Sequence, residues 1–163
     1  RAMSYMFRYT LNNTQSQSLL KEELQWLESY IYIMSCRYDG QLVYTCEVEE
    51  TLLDDKTPRL FLQPFIENVF VHGFKNKYTD FRLTLRGCIQ DGWRCFTIED
   101  NCCGIPEEKR KTLLLREKDS SIGIQNTYKR LQLLFSGQCK ILFESKEGEG
   151  TKVLIFLPLR ETL

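Results

Sequence analysis

The sequence predicts an α+β fold, a two-layer sandwich whose mixed, mostly antiparallel sheet carries helices on one face. Three observations predict it. Strand-like segments come in pairs closed by turn residues, Asp91-Gly92 in one case and Gly148-Glu149-Gly150 in the other. Amphipathic helical stripes stand between these pairs rather than alternating with single strands. The chain has 163 residues, 42% of them hydrophobic and 12% aromatic, which suits one packed domain and excludes disorder as its main state.

The elements follow in order. Leu20, Leu24, Leu27, Ile31 and Met34 recur at three- and four-residue steps, so a helix is expected there, capped by Ser18 and with Glu22 and Glu23 near its positive end. Residues 1–17 precede it, polar from Asn12 onward, and read as a connector from an absent upstream helix; residues 18–163 read as the domain. Leu42–Val48 alternates as a strand after Asp39-Gly40, with Tyr44, Cys46 and Val48 on one side. Thr57-Pro58 reads as a helix start and Gln63-Pro64 as a restart, with an apolar helix through Val71 closed by Gly73. Phe81–Ile89 and Trp93–Glu99 form a hairpin; Pro106-Glu107-Glu108 opens a short helix. Lys109–Ser121 is charged and reads as a mobile loop. Ile124, Tyr128, Leu131, Leu134 and Phe135 mark another helix, and Lys140–Glu144 with Thr151–Leu157 a final hairpin.

Lys+Arg and Asp+Glu both number 22, so the net charge is zero, which argues against nucleic-acid binding. No run reaches the roughly 18 apolar residues of a membrane span, and no signal-peptide pattern opens the chain. Seven cysteines without paired CxxC spacing read as free thiols of a reducing compartment. One histidine, His72, excludes multi-histidine metal sites.

Four polar segments interrupt apolar surroundings. Glu67-Asn68 is costly to bury without partners, and reads either as a helix-end hydrogen-bond cluster or as a hard oxygen pair for Mg²⁺, with His72 on the same helical face. Asp100-Asn101-Cys102-Cys103-Gly104 follows a strand, as a plain turn or as a carboxylate placed to accept from an exocyclic amine. Ser121-Ile122-Gly123-Ile124 opens a helix, where backbone N–H groups suit phosphate. Gly148-Glu149-Gly150-Thr151 reads alone as a glycine hairpin.

In order and spacing these segments resemble the N box and glycine boxes of the GHKL (Bergerat-fold) ATPases, specifically the LytS/YesM-like sensor histidine kinases. LQPFIENVFVHGF resembles that branch's LQP-x-x-ENA-x-x-HG block, SIGIQNTYKRL its GIGL-x-N-x-x-x-RL, and KEELQWLESYIYIMSCRY its helix ending in an arginine-aromatic pair. The likeness runs from about Tyr5 to Leu159. It implies that Asn68 binds Mg²⁺, with Glu67 beside it on metal-bound water or as proton acceptor. It implies that Asp100 bonds the adenine amino group, with Cys102, Gly104 and Ile105 lining the backbone approach. Ser121, Ile122, Gly123, Ile124, Asn126 and His72 would serve the phosphate side, and Gly150 and Thr151 would support the base. Lys109–Ser121 would be the ATP lid; Arg130 matches a family position.

The likeness further implies ATP and Mg²⁺ as ligands and phosphoryl transfer to a histidine on an upstream dimerisation helix. It also implies a homodimer in the whole protein, a cognate response regulator, and a cytoplasmic domain of a membrane sensor. His72 lies in the N box, so it is not read as the phosphoacceptor. Three positions depart from the pattern: Cys102 and Ser121 replace glycines, and Val71 replaces a basic residue. They motivate the alternative of a degenerate nucleotide-binding scaffold without turnover. A gyrase- or chaperone-type ATPase fits the LQP…EN and RL blocks less well.

Overall fold

A computed structural model describes residues 2–11, 16–38, 41–73, 80–112 and 122–159. The elements are α1 (Ala2–Leu11), β1 (Gln17–Leu19), α2 (Leu20–Ser35), β2 (Leu42–Val48), β3 (Lys56–Pro58) and α3 (Gln63–His72). They continue through β4 (Phe81–Gln90), β5 (Trp93–Asp100), α4 (Glu107–Thr112), α5 (Ile122–Leu134), β6 (Lys140–Lys146) and β7 (Gly150–Pro158).

The main sheet has five strands in the order β2-β4-β5-β7-β6. Only the β2–β4 pairing is parallel; the other three are antiparallel, as the hairpins require. On β4 and β5 the burial alternates: Phe81, Leu83, Leu85, Phe96 and Ile98 are buried, whereas Arg82, Arg86 and Glu99 face solvent. The buried face meets Leu20, Leu27 and Ile31 of α2, Phe65, Ile66 and Val69 of α3, and Ile124 and Leu131 of α5 in one core. Helices therefore cover one face, as expected.

Two local expectations are corrected. Thr57-Pro58 does not start a helix: it lies in β3, which pairs antiparallel with β1. Ser18 does not cap α2, because it sits in β1 opposite Thr57. The helix starts at Leu20, where the Leu20 and Lys21 N–H groups donate to the Asp55 and Leu53 carbonyls, both at 2.9 Å. Backbone from a distant loop thus satisfies the helix end that a side chain was expected to cap. Glu22 still contributes, accepting the Leu19 N–H at 3.1 Å.

Within the stretch read as a connector, Ala2–Leu11 forms a helix, α1. Its Tyr9 hydroxyl donates to Glu23 at 2.7 Å, and Glu23 also accepts from the Leu60 N–H at 2.6 Å and the Ser18 hydroxyl at 3.2 Å. Arg59 stacks on the Tyr9 ring at 4.2 Å and donates to the Tyr9 carbonyl. Burial pushes the Glu23 carboxyl up, and these hydrogen bonds together with the Arg59 charge act against that shift. Of the segment read as a lid, Lys109–Thr112 is helical and the remainder lies outside the described residues.

Candidate functional site

Of the expected residues, Asp100, Gly104, Gly150 and Thr151 come together where the end of β5 crosses the β6–β7 hairpin, and the end of α3 joins them through the Cys103–Gly73 hydrogen bond. Glu67, Asn68, His72 and the α5 residues do not line the cavity that opens there. Proline enters α3 in its first turn, where no intrahelical N–H is required. The helix then holds Glu67 and Asn68 half-buried. The Gln63 amide donates to Glu67 Oε1 at 2.5 Å. His72 ends the helix exposed, and its carbonyl accepts the Cys103 thiol at 3.0 Å.

Asp100 ends β5, and its Oδ1 accepts the Cys102 N–H at 2.9 Å, which turns the chain out of the sheet. The loop that follows is pinned from two sides. Cys103 N–H donates to the Gly73 carbonyl at 3.2 Å, and Gly148 N–H donates to the Cys103 carbonyl at 2.8 Å. Ile105 N–H donates to Ser145 Oγ at 2.7 Å. Gly104 has φ +70°, and a Cβ there would fall 2.1 Å from the Lys146 carbonyl oxygen; Gly150 has φ +118°, and a Cβ there would fall 2.1 Å from the Asp100 carbonyl oxygen. Crossing of loop and hairpin backbones therefore requires both glycines, independently of any ligand.

Thr151 lies opposite Asp100 in the β5–β7 register, buried, with Oγ1 2.9 Å from Ser145 Oγ. A cavity of about 630 Å³ opens here, lined among others by Asp100, Arg110, Phe143, Ser145, Gly150 and Thr151. Arg110, on α4, donates to the Ser145 carbonyl at 3.1 Å. Arg110, Phe143 and Ser145 carry no motif, so nothing in the sequence marked them; tertiary contact alone brings them to the cavity.

Cys102 is 1% exposed and turns into the core. A Cβ at Gly73 would lie 2.9 Å from the Cys102 Cβ, so the missing side chain at position 73 is what makes room for the thiol. Cys102, expected to line the backbone approach, instead turns its side chain into the core. On α5, Ile122 is exposed, Ile124 is core, and Asn126 is exposed. A Cβ at Gly123 would meet Pro64 at 3.4 Å, an ordinary contact that places the start of α5 beside the start of α3. Ser121 lies outside the described residues. Arg130 is half-buried; burial lowers its pKa, and the Glu23 charge acts against that shift.

Residues 54–161 match the family model described as the histidine kinase-, DNA gyrase B-, and HSP90-like ATPase. The chain belongs to this ATPase family. Residues 1–42 match a second model, that of a histidine kinase. Among relatives of this ATPase domain, YwpD of Bacillus subtilis is 30% identical over 94% of the chain and 55% of its own length. The sensor protein LytS of Enterococcus faecalis is 24% identical over 98% of the chain and 28% of its own length. The chain thus spans about half of one relative and little more than a quarter of the other. The catalytic domain of histidine kinase ThkA shares the fold at TM-score 0.66 and 13% identity, over 87% of this chain and 94% of that one. The histidine kinase domain of a blue-light activated kinase from Erythrobacter litoralis does so at TM-score 0.64 and 17% identity, over 97% and 71%.

Proposed function

We propose that this domain binds Mg·ATP and is the catalytic domain of a LytS-like sensor histidine kinase, passing the γ-phosphoryl group to a histidine elsewhere in the whole protein. The observation that carries the reading is the pairing of Asp100 with Thr151 at a cavity mouth, next to a helix holding Glu67 and Asn68. A carboxylate offers about four acceptor sites, and Asp100 uses Oδ1 to anchor its own turn. A carboxylate at this place suits the amino group of adenine, and the Thr151 hydroxyl supports the base from β7.

The donor set on α3 fits Mg²⁺. Among the described residues no three His, Cys, Asp or Glu side chains gather into a cage. Mg²⁺ in phosphoryl-transfer sites uses one or two protein oxygens plus phosphate oxygens, and Glu67 and Asn68 supply that number. When bound, the ion neutralises phosphate charge and draws the phosphates into line. Asn68 would hold it directly. Glu67 would orient its water or accept the proton of the attacking imidazole. His72, Ile122, Gly123, Ile124 and Asn126 would contribute their side chains or backbone N–H groups on the phosphate side, with Ser121. Catalysis would then be positioning and charge stabilisation, not covalent chemistry.

Residues 18–163 would form the ATPase unit and residues 1–17 the lead-in from a dimerisation and phosphoacceptor helix. A homodimer, a response regulator and a cytoplasmic face of a membrane sensor complete the proposal. The second reading, a scaffold without turnover, rests on Val71 and Ser121; Cys102 gives it no support, because its side chain leaves the cleft. Calorimetric titration with Mg·ATP tests the nucleotide site, and the turnover assay separates the two readings. Binding at millimolar levels or tighter that is lost in Asp100→Asn supports the proposal. Absence of binding at every accessible ATP concentration overturns it, and phosphotransfer to histidine in the whole protein tests turnover.

A further inference from the structure

Seven cysteines are free, and most stand alone: Cys36 and Cys46 are exposed, Cys102 and Cys139 are buried, and Cys103 donates to a carbonyl beside the cleft. Cys88 and Cys95 differ. They are direct partners in the β4–β5 register and half-buried on the sheet face opposite the helices. The two-residue Asp91-Gly92 turn makes Gln90 and Trp93 the hydrogen-bonded closing pair, and two steps on Cys88 and Cys95 form a hydrogen-bonded pair again. Such pairs place their Cα atoms about 5.5 Å apart, inside the Cα range of disulfides, and closing the bond draws the two Cβ atoms together by roughly an ångström. The Cys95 thiol donates to the Trp93 carbonyl at 3.8 Å, and Cys88 beside it contributes to raising the Cys95 pKa.

We infer that Cys88 and Cys95 form a dithiol modification site on the outer face of the sheet, which a peroxide oxidises to an intrachain disulfide. One thiol, attacking the peroxide, becomes a sulfenic acid and releases water from hydrogen peroxide. The neighbouring sulfur then displaces that hydroxyl as a second water, forming the S–S bond. In sum two thiols lose two electrons and two protons, and one peroxide is reduced to two waters. Burial pushes the Cys95 thiol up, which suits it to resolve rather than to attack first. Cys102 and Cys103 are adjacent in sequence but point apart, one into the core and one toward His72, so they do not compete.

The test exposes the folded chain to excess hydrogen peroxide, blocks remaining thiols by alkylation, and maps tryptic peptides. Cleavage after Arg94 puts Cys88 and Cys95 on separate peptides, 87–94 and 95–109, which stay joined only through a disulfide. The expected result is loss of two hydrogens per chain, with fragment ions placing the link at Cys95 and not at Cys102 or Cys103. In Cys88→Ser the two-hydrogen loss disappears. A link elsewhere, a wild-type chain whose Cys88 and Cys95 both remain alkylatable, or persistence of the loss in Cys88→Ser overturns the proposal; the wild-type map decides even if the variant fails to fold.

Discussion

Arg94 and Asp100 lie on the same face of one strand, β5, near its opposite ends, and the protein treats the two charges differently. Arg94 is 2% exposed and consumed by structure. Its guanidinium donates to the Lys56 and Pro158 carbonyls, each at 3.1 Å, stands 3.7 Å from Asp55, and lies over the Phe135 ring. Asp100 is half-buried, accepts the N–H of its own turn, and lines a cavity. At the Arg94 end a charge closes the sheet by tying it to β3. At the Asp100 end the fold is held by crossing backbones. A charged residue in a core strand is therefore not by itself a site; what matters is whether backbone carbonyls or open space surround it.

The comparison can be broken in order of expected effect. Gly150→Ala forces a Cβ to within 2.1 Å of the Asp100 carbonyl at φ +118°. It should cost about 4 kcal/mol of stability in urea denaturation, showing that the open end is secured by backbone. A cost near zero would mean that the hairpin does not cross there as described. Arg94→Met leaves two carbonyls without their donor and should cost about 3 kcal/mol, while ATP affinity per folded molecule stays unchanged. A fall in affinity would erase the distinction between the ends.

Asp100→Asn keeps an acceptor for the Cys102 N–H, so stability should change by less than about 1 kcal/mol while ATP affinity drops by about tenfold or more. Asn68→Ala should weaken binding mainly when Mg²⁺ is present, which titrations with Mg²⁺ or with a chelator would reveal. The smallest effect concerns Glu23. Burial raises its native pKa above the unfolded one, so its contribution to stability is fully present below the unfolded value and is lost as pH rises through the native value. The urea midpoint of wild type relative to Glu23→Gln should accordingly fall as pH rises from about 4 to 7.

Much of the architecture was legible because local signals agreed with tertiary demands. Leu20, Leu24, Leu27 and Ile31 are the buried stripe of α2 that their spacing predicted. Asp91 and Gly92 have φ of 51° and 80°, the left-handed pair that a tight hairpin requires. Thr57-Pro58 misled because a three-residue strand is defined by its partner, and β1 lies far back in the chain. The candidate site was legible only as motif residues, with Glu67, Asn68, Asp100 and Thr151 standing in polar boxes of recognisable order. Which way a residue turns was less legible: Cys102 falls in the core, and Arg110 and Ser145 reach the cavity without any sequence signature.

By itself, the sequence determined the five strands of the main sheet, helices α2, α3 and α5, the hairpin pairings and the order of the polar boxes, because periodicity and turn chemistry act over a few residues. Tertiary structure alone decided that Cys102 faces the core, that Gly104 and Gly150 are required by crossing backbones, that Glu23 gathers Tyr9, Ser18 and Leu60, and that Arg94 closes one end of β5. Each of these depends on atoms that are distant in the chain and adjacent only after folding.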